Sequence, residues 1–297
     1  MDRMPEKTVP SRHAGMRVDK GVSDLTGLSR NQVKRLIGRG DLLVNGVPTK
    51  PSITLKAGDV VSYTLKAPTP LAPRAVPLEV LYEDDACLVV NKPSGLLVHP
   101  ASTRDEVTLV HAVYERFQDI DGFDDPERLG IVHRLDKDTS GLLVIARTPE
   151  ALKILQDEMR ARRIKRSYLA LVEGCVPHAQ GKVDAPIGRN KRARHKLDVT
   201  GDGRRSVTHF EVVERFKAHT LLSCTLETGR THQIRVHMQY IGHPLVGDAL
   251  YGRTAAARGQ YLHAFSLAFS HPTTQETMHF KRMPPHFFTR HLKRLAG

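Results

Sequence analysis

Apolar positions fall in short separate runs along the chain, and their spacing changes from one run to the next. Residues 1–14 mix Pro, Lys, Arg and Ser without a period, so a flexible tail is expected there. Ordered structure is expected from about Arg17. Ser29 suits a helix N-cap, and Val33, Leu36 and Ile37 then share one face of a helix running to Ile37. Arg30, Lys34 and Arg35 fall on the opposite, exposed side, with Arg39 following, and Gly38 and Gly40 supply a stop. Leu42 to Val44 reads as a strand, and Asn45-Gly46 favours a two-residue type I′ hairpin turn. Val60 to Leu65 reads as a further strand. Together these make a small α-plus-hairpin module over residues 15–66. Residues 67–77 contain Pro68, Pro70, Pro73 and Pro77, which block both helix and ladder, so they predict a semi-rigid linker.

The second domain, residues 78–297, is richer in strand patterns. Leu78 to Tyr82 and Cys87 to Asn91 predict strands joined by the acidic turn Glu83-Asp84-Asp85. A helix is predicted from Thr108 to Phe117 and a short buried strand from Gly141 to Ala146. Glu150 to Arg163 predicts an amphipathic helix with Leu152, Leu155 and Met159 inward. Strands follow at Tyr168 to Glu173, Val207 to Val213 and Thr220 to Glu227. Ile234 to Ile241 and His286 to Leu295 read as helices. Helices are scattered among strands without strict βαβ order, so the fold class is α+β with a mostly antiparallel sheet.

Composition narrows the function classes. The 297 residues carry 45 Lys and Arg against 32 Asp and Glu, a formal charge of +13. Such an excess repels itself unless it faces an anionic partner such as a nucleic acid. Three cysteines, Cys87, Cys175 and Cys224, are too far apart and too few for a disulfide framework, so a reducing compartment, the cytoplasm, is expected. The longest apolar runs are too short to span a bilayer, and the first residues lack the apolar core of a signal peptide. No membrane partner is therefore expected.

The densest polar segment is His133-Arg134-Leu135-Asp136-Lys137-Asp138-Thr139-Ser140, set between two apolar runs where a scaffold presents reactive groups. Arg134 and Lys137 flank Asp136 and favour its carboxylate form, as a nucleophile or base needs. A solvated turn with a local ion pair fits the same residues. In Thr228 to His237, Thr231 is placed to cap a helix whose next turn carries Arg235, a residue able to grip a carboxylate. His232 and His237 are five apart with no acid in the window, so a structural or RNA-contacting role is preferred to a metal site. Two basic blocks stand out: Arg160, Arg162, Arg163, Lys165 and Arg166, then Arg189, Lys191, Arg192, Arg194 and Lys196. With the face formed by Arg30, Lys34, Arg35 and Arg39, they predict phosphate contacts along a long structured polyanion. No P-loop or GxGxxG fingerprint calls for a nucleotide cofactor, and neither cofactor nor metal is expected.

His133-Arg134-Leu135-Asp136 with Thr139-Ser140-Gly141 resembles the signature of RluA-type pseudouridine synthases, and the chain is most similar to RluD-like, large-subunit rRNA members. Tyr82-Glu83-Asp84-Asp85, Asn91-Lys92-Pro93, Lys165-Arg166-Ser167-Tyr168, Thr228 to His237, Gly242-His243-Pro244-Leu245, Gly247-Asp248, Tyr251-Gly252 and Leu262-His263-Ala264 extend the likeness in order. The module at residues 17–65 is similar to the small αL RNA-binding domain named after a ribosomal protein. The resemblance implies isomerisation of uridine to pseudouridine in structured RNA, most closely 23S rRNA or a pre-ribosomal particle, by a monomer without cofactor or metal. It makes Asp136 the catalytic carboxylate, either a nucleophile at the sugar or a base in a glycal route. By the same likeness Tyr168 stacks on the target base, Arg235 pairs with Asp136, and Arg134 fills the space left by the flipped base. The binding set it leaves is Arg30, Lys34, Arg35, Arg39, Arg162, Arg163, Lys165, Arg166, Arg189, Lys191, Arg192 and Arg194. A tRNA or dual tRNA and rRNA target is the alternative, and a non-catalytic RNA-binding ribosome-assembly protein is the rival from another class. A histidine-built metal nuclease is disfavoured by ligand spacing.

Overall fold

The N-terminal unit starts earlier in the chain than its hydropathy suggests. In the computed structural model, residues 5–65, 76–99, 106–117, 123, 128–193 and 195–297 are described, and the chain divides into two units, residues 1–70 with 124–126 and residues 71–123 with 127–297. Residues 5–14, expected as tail, instead carry strand β1 (Glu6–Thr8) and a 3-10 turn at Ser11–His13. The reason is backbone pairing rather than side-chain pattern: Glu6 lies opposite Ser62 and Thr8 opposite Val60, while Val9 is buried. The expected linker lies outside the described residues except for Val76 and Pro77.

Helix α1 (Val18–Thr26) packs Val18 and Val22, one turn apart, into a core with Val33, Leu42, Leu55 and Val61. Helix α2 (Arg30–Arg39) begins with the capping box that Ser29 and Gln32 encode, and it ends on Gly40 in the left-handed region. It runs two residues past the expected end, because Gly38 is tolerated inside its last turn. Asn45 and Gly46, both at positive φ, turn β2 (Leu42–Val44) into β3 (Val47–Pro48), as the dipeptide predicts. With β4 (Val60–Tyr63) the sheet order is β1-β4-β2-β3.

The C-terminal unit is built on β5 (Glu79–Glu83), β6 (Cys87–Lys92), β7 (Ser140–Ala146), β8 (Lys165–Glu173), β9 (Gln180–Asp184), β12 (Val207–Arg215), β13 (His219–Leu226), β14 (Leu262–Ser270) and β15 (Thr277–Lys281). A small hairpin, β10 (Ile187–Arg189) with β11 (Leu197–Val199), stands apart. The helices are α3 (Leu109–Arg116), α4 (Pro149–Arg160), α5 (Gln233–Tyr240) and α6 (His286–Ala296). The large sheet runs β5-β6-β7-β14-β8-β13-β12-β9, antiparallel except for the β7–β14 pair, and β15 also pairs with β14. This is the expected α+β class.

Residues in β6 and β7 alternate between two cores, so the strands are apolar from Cys87 to Val90 and from Leu142 to Ala146. Leu88, Val90, Leu143 and Ile145 meet α3 and α5 through Leu109, Val113, Ile234 and Met238. Cys87, Val89, Leu142 and Val144 meet α4 through Ala151 and Leu155 on the other side. Helix α4 stops at Arg160, short of the expected Arg163, and Arg162 sits at φ 60 in the left-handed region.

Candidate active site

Asp136, Tyr168 and Arg235 are 99 residues apart from first to last and line one cleft of about 500 Å3. Each comes from a different element. Asp136 sits on the loop that enters β7, Tyr168 on β8 and Arg235 on α5, with β14 lying between β7 and β8. The loop is held from beneath by Lys92, whose buried ammonium donates to the carbonyls of Pro93 (2.8 Å), Leu96 (2.7 Å) and Lys137 (2.9 Å). Burial lowers Lys92 to about 7, while the charges of Asp136 and Asp138 work to keep it protonated.

Arg235 joins two carboxylates. Its Nη1 donates to Asp136 Oδ2 at 3.0 Å, and its Nε and Nη2 grip Asp248 at 2.7 and 2.8 Å. Asp248 is fully buried and also accepts the backbone N–H of Leu250 and of Tyr251. Burial pushes Asp248 up, but Arg235 and these donors outweigh it and leave its carboxyl below the ordinary range. Burial likewise opposes the charge on Arg235, and Asp248 and Asp136 overcome it. The guanidinium is thus fixed by a two-pronged grip and points its remaining edge at Asp136. The Tyr251 ring lies beneath it, 5.0 Å from Cζ.

The second oxygen of Asp136 faces His232 Nε2 at 3.9 Å. Tyr251 Oη accepts the N–H of Leu197 (3.0 Å) and shares a hydrogen bond with His232 Nδ1 (2.9 Å). Burial lowers the His232 pKa, which favours the neutral ring. His232 itself adopts the left-handed conformation and occupies the N-cap of α5 without a side-chain cap, so Thr231 does not cap the helix as expected. The approach to α5 is organised by Gln233, which accepts from Thr228 and from the Arg230 backbone and donates to Val207 and Thr208.

Burial raises the Tyr168 phenol above its ordinary value, with Arg166 pulling the other way. Arg166 is half-buried on the cleft wall, and Arg134 is exposed at its rim with Nη1 3.3 Å from His99 Nε2. His133 is lowered to about 3, by burial first and Arg166 second, and accepts the Val144 N–H. His237 serves the core instead, between Thr208 Oγ1 and the Ala185 carbonyl.

The predicted basic residues divide. Arg162, Arg166 and Arg134 reach the cleft. Arg162 pairs with Glu227 and Arg163 with Glu158, so acids from neighbouring elements temper a block that looks uniformly basic in sequence. Lys165 is exposed at the start of β8, and Arg189, Lys191 and Arg192 are exposed on and after β10. Arg194 lies outside the described residues. In the N-terminal unit, Arg30 (2.8 Å) and Lys34 (3.6 Å) converge on the buried Asp19, Arg35 is half-buried, and Arg39 is exposed.

Among the described residues, one trio has metal-ligating chemistry: Asp84, Cys87 and His271. It is already satisfied. Asp84 accepts from Tyr82, from the backbone of Ala86 and Cys87, and from His271 Nε2 at 2.7 Å, while burial pushes Cys87 up to about 12. Sequence assigns no individual site role to Asp248, Tyr251, Gln233 or Lys92, and to His232 only a structural or RNA-contacting one. A cation or carboxylate among strand-like apolar residues, as in Asn91-Lys92-Pro93 and Gly247-Asp248, was the available signal.

Known proteins resemble the chain over most of its length. Residues 86–240 match the family described as RNA pseudouridylate synthase, and residues 16–61 match the S4 domain. The chain is 44% identical over 283 residues to the RNA pseudouridine synthase YlyB of Bacillus subtilis, covering 94% of this chain and 93% of that one. It is 44% identical to ribosomal large subunit pseudouridine synthase D of Xanthomonas campestris, covering 91% and 86%. Among solved structures, human RNA pseudouridylate synthase domain containing 1 superposes with a TM-score of 0.57 at 29% identity, covering 74% of this chain and 87% of that one.

Proposed function

The chain belongs to the RNA pseudouridylate synthase family, and from that premise we propose that Asp136 acts on the ribose of a uridine turned out of its RNA into the cleft. The carrying observation is the 3.0 Å pair between Asp136 and an Arg235 that Asp248 holds in place. The isomerisation detaches uracil from C1′ at N1, turns it, and rejoins it through C5, which loses its proton while N1 gains one. It consumes no water and moves no net electrons, so the chemistry calls for no redox cofactor. Attack of the carboxylate on C1′ and removal of the C2′ proton both need an ionised Asp136 with one oxygen unengaged. Arg235 occupies Oδ2 and leaves Oδ1 to the substrate side, where the neutral His232 stands.

Tyr168 supplies a flat neutral ring for the uracil, and its raised pKa keeps the hydroxyl protonated for a hydrogen bond to the base. Arg134, at the rim, fills the gap in the stack that the flipped nucleotide leaves, at a cost of a few kcal/mol for unstacking. Arg162, Arg163, Lys165 and Arg166 hold phosphates beside the cleft. Arg189, Lys191 and Arg192 hold them along the β10–β11 side, with Arg194 assigned the same role from sequence alone, and Arg30, Lys34, Arg35 and Arg39 do so from the S4 domain. The substrate is large-subunit ribosomal RNA. Relatives named ribosomal large subunit pseudouridine synthase D support it, since they align over most of their own length. We place the enzyme in the cytoplasm as a monomer; no helix among the described residues is long and apolar enough to cross a membrane. Asp136→Asn is expected to abolish pseudouridine formation while leaving RNA affinity within about twofold, because charge is removed and shape kept. Retained turnover in that variant overturns the assignment.

A further inference from the structure

Between Asp248 and the last residue, seven Lys and Arg stand against one acid, Glu276. No contiguous block marks this excess, because on α6 the charges recur at helical spacing. Arg290 and Arg294 are one turn apart, and Phe287 and His291 sit on the same face. That face and the segment before β14 enclose a second cleft of about 590 Å3, lined by Arg258, Tyr261, Phe287, Arg290, His291 and Arg294, with no carboxylate among its lining residues. Its aromatic wall is ordered. Tyr261 meets Phe287 edge-on at 5.6 Å and His291 at 4.8 Å, and the Arg258 guanidinium lies over the Phe287 ring. His291 Nε2 is buried without a hydrogen-bond partner in the structure.

The cleft is tied to the catalytic loop. The Ser94 hydroxyl lies 3.0 Å from both the Asp138 and the Arg258 carbonyls, and Gln260 donates to Thr139. Gly259, at φ +75, lies so close that a Cβ there would stand 2.3 Å from Asp138 Cβ. Arg258 is therefore carried on a segment packed directly against the loop that holds Asp136. Rings that accept a base face, interleaved with arginines that accept phosphate, are the chemistry of an unpaired nucleotide strand.

We propose that this α6 cleft binds an unpaired stretch of the RNA substrate flanking the target uridine. The inference rests on the reading of the chain as an enzyme acting on RNA. Arg290 and Arg294 grip the phosphates, and the wall of Tyr261, Phe287 and Arg258 takes a base.

The test compares full-length wild type with an Arg290→Ala/Arg294→Ala double variant and an Arg290→Lys/Arg294→Lys double variant. Transcribed large-subunit rRNA serves as probe, with a fully paired RNA duplex as second probe. The alanine pair is expected to raise Kd for the rRNA about tenfold. Its log Kd–log salt slope should be shallower by about 1.4, two single-strand phosphate contacts. The lysine pair should keep the wild-type slope, and the duplex should lose less than twofold. Unchanged affinity and slope in the alanine pair overturn the proposal. Equal damage in the alanine and lysine pairs, or equal loss on duplex and rRNA, overturns it too. If wild type forms no pseudouridine in this RNA, the functional reading fails at that step, and the binding arms still report on the cleft by themselves.

Discussion

At the scale of single residues, the site depends on how few ways Arg235 can sit. Asp248 takes two of its nitrogens and Tyr251 underlies its plane, so the third nitrogen meets Asp136 without further ordering. Removing the grip leaves a buried cation held at one end only. Asp248→Ala is expected to destabilise the C-terminal unit by about 3–5 kcal/mol, read as a lowered denaturation midpoint. Asp248→Asn keeps the shape but forfeits the charge. A displaced Arg235 and Asp136 should then lower kcat about 100-fold with KM little changed. A kcat within threefold of wild type would mean that Asp136 is oriented by something else. Lys92→Met makes a similar test from below the loop. It strands three carbonyls and is expected to cost about 2 kcal/mol or more in stability and to slow turnover, measured by urea denaturation and single-turnover assay. Asp136 and Arg235 were legible in sequence as charges set among apolar runs. Their partners were not, because Lys92 and Asp248 look like isolated ionic residues until the fold buries them.

At the scale of elements, alternation and capping chemistry located the strands and helices whose stability is local. Ser29, Asn45-Gly46 and the apolar run of β7 all fold as their patterns predict. The elements that escaped notice depend on partners far away in sequence. Strand β1 is polar and exists through pairing with β4, and β14, which reads LHAFSLAFS, lacks a clean alternation and is fixed by its pairing with β7 and β8. The β7–β14 contact is unusually close. Gly141, at φ +120, would place a Cβ 2.3 Å from the Ala264 backbone. Gly141→Ala must therefore push the two strands apart at the foot of the catalytic loop. It is expected to destabilise by about 3 kcal/mol and to impair turnover together with stability. In the N-terminal unit, α1 and α2 are joined through Asp19, which Arg30 chiefly lowers from 3.8 to about 2 against the effect of burial. A carboxyl lowered on folding stabilises above its unfolded value and loses that contribution as pH falls through the folded one. The unit is therefore expected to weaken between about pH 4 and pH 2, and Asp19→Asn should flatten that limb in acid denaturation.

At the scale of the whole molecule, charge explains what neither core does. The excess of +13 is spread over the S4 domain, the cleft wall, the β10–β11 hairpin and the C-terminal helix, and much of it lies beside carboxylates. The uniform blocks seen in sequence overstate some patches, whereas α6 escapes a scan for blocks because its charges are periodic. Removal of residues 1–65 is expected to raise Kd for structured RNA by about tenfold or more and to reduce the salt slope, measured by filter binding. The most direct test of the central claim maps pseudouridine across the RNA of cells lacking the gene, complemented with wild type or with Asp136→Asn. The account predicts loss at defined large-subunit rRNA uridines, restored by wild type and not by the asparagine variant. Restoration by Asp136→Asn, or an rRNA map unchanged by the deletion, would contradict it.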